Sequence, residues 1–129
     1  MKPTLVLGSS LGTTAATLWG PCREPLDARF DVVAWDLPGH GSNHSVPDAD
    51  LSIADLAAGV LDLVEGDFHY AGDSVGGAVG LQLLLDAPDR VRTATLLCTG
   101  AKIGTAESWS ERIGQVRSSG TASQVSARA

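Results

Sequence analysis

Phe68-His69-Tyr70-Ala71-Gly72-Asp73-Ser74-Val75-Gly76-Gly77 decides how this chain folds. Phe68 to Ala71 reads as a short strand. It meets a serine set between glycines and then, with no spacer, a helix of small residues that runs to about Ala87-Pro88. The pattern from Gly72 to Gly76 is Gly-x-Ser-x-Gly, and its physics is specific. The serine sits on a sharp strand-to-helix turn with a strained backbone. The residues two before and two after it must be small, because strand and helix nearly touch there. The helix N-terminus then aims its free N–H groups and its dipole at negative charge developing beside the serine. Ser74 is the candidate nucleophile, and Val75 the candidate donor of one such N–H.

The pattern occurs a second time, as Gly8-Ser9-Ser10-Leu11-Gly12. Ser10 also follows an apolar strand, Leu5-Val6-Leu7, but Gly12-Thr13-Thr14 delays the next helix. Structural context therefore favours Ser74 over Ser10. The blander alternative makes both serines ordinary turn residues. The first copy has another use. A loop after an earlier strand can supply the second N–H of an oxyanion hole, and Leu11 is the candidate donor. A plain tight turn is the alternative there.

Working outward, Thr14 is positioned to cap a helix from Ala15 that stops near Gly20-Pro21, with a further helical turn from Glu24 to Ala28. Phe30 to Trp35 is the next strand. It ends in the glycine-rich turn Asp36-Leu37-Pro38-Gly39-His40-Gly41-Ser42, and Asn43 to Asp50 is polar loop. Ser52 caps a helix, with Asp55 as the acidic half of a capping box. Ile53, Leu56, Ala57, Val60, Leu61 and Val64 recur there at helical spacing, up to Gly66. Val91 to Thr99 is a fourth strand and Thr105 to about Val116 a last helix. Ser118 to Ala129 is a polar tail expected to be loose. Strands alternating with helices, and strands that are apolar throughout, predict an α/β domain built on a mostly parallel sheet with flanking helices.

Composition narrows the partners. The chain has 129 residues, 9 Lys+Arg against 15 Asp+Glu, and a formal net charge of -6. That balance argues against nucleic acid or an anionic membrane surface as the main partner. No apolar stretch approaches the roughly 18 residues of a membrane span. Two cysteines, Cys22 and Cys98, make neither a disulfide framework nor a zinc site, so a cytoplasmic setting without metal is expected. Cys98, at a strand end, reads as buried apolar filling. Trp19 and Trp35 read as core aromatics.

Asp36-Leu37-Pro38-Gly39-His40-Gly41-Ser42 resembles the Asp-x-x-Gly-His-Gly-x-Ser turn of the α/β-hydrolase superfamily. Leu5-Val6-Leu7-Gly8-Ser9-Ser10-Leu11-Gly12-Thr13 resembles the opening of 3-oxoadipate enol-lactonases. So does Gly100-Ala101-Lys102-Ile103-Gly104-Thr105-Ala106-Glu107-Ser108-Trp109, past the fourth strand. The resemblance implies a truncated α/β-hydrolase fold, with residues 1–100 as the N-terminal half of the core and residues 101–129 as the beginning of a helical cap. It implies that Ser74 attacks a lactone carbonyl while the N–H groups of Leu11 and Val75 hold the oxyanion. No organic cofactor or metal is implied. The partner is a small lactone or ester, with Ser10 and Trp109 as candidate substrate contacts. An enol-lactone of this kind carries a carboxylate, for which Lys102 and Arg112 are candidate receivers, with solvated surface cations as the plainer reading of both and packing between cap and core as that of Trp109. Oligomeric state has no signal in the sequence.

One part of the pattern is missing. A serine hydroxyl needs a base, and the superfamily order is Ser, then acid, then His. The three histidines, His40, His44 and His69, all precede Ser74. His40 fits the superfamily turn as a structural residue. His44 reads as solvated, and His69 lies in the strand before Ser74. The expectation is half a hydrolase, inactive alone. An esterase, a cofactor-free perhydrolase and a non-catalytic remnant are the alternatives.

Overall fold

The computed structural model describes residues 1–124. Its elements are β1 (Thr4–Gly8), α1 (Ala15–Asp27), β2 (Asp31–Trp35), α2 (Ile53–Leu63), β3 (Phe68–Asp73), α3 (Val75–Asp86), β4 (Val91–Leu97) and α4 (Ala106–Ser119). The strands form one sheet in the order β2-β1-β3-β4. Every pairing is parallel, with Val6 opposite both Val33 and Tyr70 and Gly8 opposite Gly72. The sheet is the expected α/β layer, and its strand order reverses between β1 and β3. Such a switch point opens a crevice at the C-terminal ends of the two strands.

The period-two alternation of β3 explains the layering. Phe68, Tyr70 and Gly72 are buried on one face, while His69, Ala71 and Asp73 are half-buried on the other. The buried face carries the core: Val6, Trp35, Leu37, Ala57, Val60, Val64, Phe68, Tyr70, Val79 and Leu83 pack as one cluster under α2 and α3. On the other face His69 meets the edge of the Phe30 ring, with centroids 5.7 Å apart, and its Nδ1 lies 2.7 Å from Thr93 Oγ1.

Helix ends follow the sequence where a side chain can cap them. The Thr14 side chain accepts from Thr17 N–H, and Ser52 and Asp55 form a reciprocal capping box on α2. The other end of α2 is closed by an arginine the periodicity does not single out. Arg90 donates to the carbonyls of Leu61, Val64 and Gly66 and lies over the Phe68 ring. It thus satisfies carbonyls the helix leaves free.

Four expectations are corrected. The segment after Thr14 is one helix, α1, with Pro21 and Pro25 inside it, rather than a helix and a separate turn. Pro21 and Pro25 cannot donate to the carbonyls of Thr17 and Pro21, and both of those residues are exposed to solvent. Cys98 is exposed rather than buried, because β4 ends at Leu97 and the chain turns at Cys98 with φ 50°. Trp19 is only half-buried, whereas Trp35 does belong to the core. In the tail, Ser118 and Ser119 belong to α4, and hydrogen bonds extend the turn to Gln124. Residues 125–129 lie outside the described part.

Candidate active site

Ser74 joins β3 to α3 directly. Its φ of 53° and ψ of -112° lie in a region that only an over-determined non-glycine residue occupies. Such backbone strain costs on the order of 1–3 kcal/mol and persists only when neighbours enforce it. The neighbours are identifiable. Ser74 N–H donates to Leu97 O at 2.8 Å, and Ser74 O accepts from Thr99 Oγ1 at 2.8 Å and from Ala78 N–H at 2.9 Å. The end of β4 thus grips the serine by both backbone groups. Sequence reasoning missed Thr99, since no local pattern distinguishes a threonine after a strand from any other.

The small residues around Ser74 are required by contact. A Cβ on Gly72 would run into the Gly76 backbone, and a Cβ on Gly76 would come within 2.5 Å of the Gly8 carbonyl carbon. Strand, helix and the first loop therefore meet backbone to backbone. This contact brings the two copies of Gly-x-Ser-x-Gly together at the crevice between β1 and β3.

The N–H of Leu11 and that of Val75 have no acceptor among the hydrogen bonds of the described residues, and Val75 is the first residue of α3. Free N–H groups in a loop and at a helix start are the type of donor that stabilises an oxyanion. Leu11 itself is exposed at 37%. Ser10 is buried, and its Oγ lies 3.2 Å from Thr13 Oγ1 while Thr13 Oγ1 donates to Ser10 O. The Ser10 hydroxyl is thus part of the turn. Ser9 is also buried, and its Oγ has no partner.

The glycine-rich turn after β2 secures this loop. Gly12 N–H donates to His40 Nε2 at 2.9 Å, and His40 Nδ1 lies 3.0 Å from Pro38 O. A carbonyl accepts only, so Nδ1 carries the proton and the ring is a neutral acceptor toward Gly12. Both nitrogens are occupied, which leaves His40 no lone pair for Ser74. Asp36 receives Ala15 N–H, Ser42 N–H and the Ser42 hydroxyl. Burial raises the Asp36 carboxyl, but these hydrogen bonds outweigh it and leave it below its usual range.

Trp109 on α4 bridges two shallow hollows. One, of about 260 Å³, is lined by Val75, Ala78, Ile103 and Trp109; the other, of about 270 Å³, by Leu11, Trp109, Arg112 and Val116. Each hollow therefore contains one of the two candidate N–H residues. The Trp109 indole N–H donates to Ile103 O, and the Arg112 guanidinium lies 4.9 Å over its ring. A larger hollow of about 460 Å³ sits between β2 and α2, lined by Val33, Trp35, Leu56 and Val60, and none of its lining residues belongs to the Ser74 turn. Among the described residues no three His, Cys, Asp or Glu side chains gather as a metal site. None of their helices is long and apolar enough to cross a membrane.

Comparison with known proteins agrees with this geometry. The family model described as the alpha/beta hydrolase fold matches residues 18–119. The 3-oxoadipate enol-lactonase 1 of Acinetobacter baylyi is 31% identical over 95% of this chain and 47% of its own length. RutD of Variovorax paradoxus, a proposed carbamate hydrolase, is 37% identical over 76% of this chain and 38% of its own length. The enol-lactonase structure from Burkholderia xenovorans superposes with a TM-score of 0.91 at 31% identity, over 98% of this chain and 50% of that one. The chain thus spans about half the length of the relatives it matches.

Proposed function

This chain belongs to the α/β-hydrolase fold family, and from that premise we propose that it supplies the nucleophile and the oxyanion hole for hydrolysis of a small lactone, 3-oxoadipate enol-lactone, to 3-oxoadipate. Ser74 Oγ adds to the lactone carbonyl carbon and gives up its proton to a base. The carbonyl oxygen becomes an oxyanion held by the N–H groups of Leu11 and Val75, worth on the order of 3 kcal/mol per donor. The C–O bond to the ring oxygen then breaks, and the leaving enolate takes up the proton that the base received. Water then attacks the acyl carbon and gives a proton to the base; the acyl–Oγ bond breaks, Ser74 Oγ recovers that proton, and the acid is freed.

The observation that carries this reading is the strained Ser74 backbone directly at the start of α3, with a second free N–H beside it on the Leu11 loop. Lactone rather than general ester chemistry is favoured by the extent of the enol-lactonase likeness, which runs through α4 to 98% of the chain. In this reading α4 begins a cap, Trp109 lines the acyl pocket, and Ser10 braces the oxyanion turn. The base is the part these residues do not hold. His40 is fully engaged by Gly12 and Pro38, and His69 lies on the opposite sheet face from the core. His44 is exposed in the loop after β2. In this reading the acid and the histidine that activate Ser74 come from beyond this set. Cys22 and Cys98 are free and exposed, in keeping with a reducing, cytoplasmic setting.

A chimaera tests the proposal. Residues 1–124 replace the matching half of the Acinetobacter baylyi enol-lactonase, and the product is assayed on enol-lactone and on a nitrophenyl ester. Lactone hydrolysis that disappears with Ser74→Ala is expected. A folded chimaera that cleaves only the nitrophenyl ester would move the assignment to an esterase. One whose activity survives Ser74→Ala would remove Ser74 from the mechanism.

A further inference from the structure

Beneath the Ser74 turn lies a buried side chain that the mechanism above does not use. Tyr70, the single tyrosine of the chain, is 1% exposed, and its hydroxyl donates to Gly76 O at 2.6 Å. Gly76 is the second residue of α3, immediately after Val75. The same hydroxyl occupies the space where a Cβ on Gly8 would stand, and the Tyr70 ring edge fills the corresponding space at Gly80. Gly8 ends β1 and opens the loop that carries Leu11. One phenol thus touches both arms of the oxyanion hole from below: the start of α3 by a hydrogen bond, and the start of the loop by contact. Burial pushes the phenol well above its ordinary range, so it remains a hydrogen-bond donor at any pH at which the protein works.

We propose that Tyr70 is a positioning residue that sets the spacing and orientation of the Leu11 and Val75 N–H groups through its hydroxyl. A phenylalanine would fill the same core volume. What it cannot do is bond Gly76 O and so tie the first turn of α3 to β3 while the same oxygen packs against Gly8 at the start of the loop. The role rests on the reading of Leu11 and Val75 as oxyanion donors. It is distinct from a packing role, which the ring alone would satisfy.

The test substitutes Tyr70→Phe and reads two quantities. In the 129-residue chain, residual dipolar couplings report N–H orientation. The Leu11 and Val75 couplings should depart from the wild-type values, while those of β1 to β4 are retained. In the lactonase chimaera, kcat should fall about tenfold at unchanged KM, the loss that follows from removing one buried hydrogen bond from a group that acts in the transition state. Unchanged couplings with unchanged kcat would overturn the inference. Changed couplings in the 129-residue chain, beside a wild-type chimaera that hydrolyses nothing, would uphold the positioning role and count against the proposed function instead.

Should Tyr70→Phe fail to fold, the wild-type chain labelled with 13C at tyrosine Cζ decides the point. Its one Cζ signal should split into OH and OD components in mixed H2O and D2O, because a hydroxyl locked on Gly76 O exchanges slowly. A single averaged line would show that the hydroxyl is not locked there, and would overturn the proposal.

Discussion

The two Gly-x-Ser-x-Gly segments share their letters and differ in almost everything else. At Gly72–Gly76 strand passes straight into helix, Ser74 is held at positive φ, and its hydroxyl has no partner among the described hydrogen bonds. At Gly8–Gly12 a turn intervenes, Ser10 keeps negative φ, and its hydroxyl is buried against Thr13. The difference teaches that the chemistry of the motif lies in the join, not in the serine. A serine becomes a presented nucleophile when backbones on three sides leave it no other conformation. Without that enclosure the same residues relax into a turn that can offer only an N–H.

This comparison is open to attack at several points. The largest expected effect is on turnover. In the lactonase chimaera, Ser74→Ala should lower kcat by about 10³-fold or more, whereas Ser10→Ala should cost less than about tenfold. Comparable losses, measured by steady-state kinetics, would erase the distinction between the copies. Next comes the enclosure itself. Gly76→Ala drives a Cβ into the Gly8 backbone and should destabilise the chain by about 3 kcal/mol or more in urea unfolding. Gly12→Ala meets nothing within 4 Å and should cost only about 1–2 kcal/mol, for its φ of 80°.

A smaller effect concerns the turn that secures the first copy. Asp36 is held below its usual carboxyl range, so its contribution is present above the unfolded value near 3.8 and fades as pH falls through the lower folded value. Asp36→Asn should therefore lower Tm at pH 7, and the gap from wild type should close on acidification below roughly pH 4. A gap independent of pH would mean that the carboxylate charge does not matter there. The smallest effect is at Ser9, whose buried hydroxyl is unpaired. Ser9→Ala should leave stability unchanged or raise it by about 1 kcal/mol, since a buried hydroxyl without a partner costs free energy. A clear loss would reveal a partner for that hydroxyl.

Much of the fold is legible in the sequence because it is written locally. Ser52 and Asp55 announce the start of α2, Thr14 that of α1, and Phe68 to Ala71 reads as the strand β3. The errors arise where distant or solvent effects decide. Gly20-Pro21 reads as a helix end, yet α1 passes through Pro21 and Pro25 on its exposed side. Cys98 reads as core because it follows an apolar run, but the strand stops one residue earlier to reach Ser74. The candidate site divides the same way. Ser74, Val75 and the Leu11 loop follow from a short pattern and a strand-to-helix join. Tyr70 and Thr99 do not, because each acts through a backbone group several or many residues away. His40 is intermediate: its motif suggests a structural role, and only the fold reveals that it accepts from Gly12.

The central claim is that Ser74, and not Ser10, is the nucleophile. The most direct measurement is to treat the chimaera with a fluorophosphonate, digest it and locate the phosphonylated peptide by mass spectrometry. The account predicts one modification, on Ser74, retained in Ser10→Ala and absent in Ser74→Ala. Modification on Ser10, or labelling that persists in the Ser74→Ala protein, would contradict it.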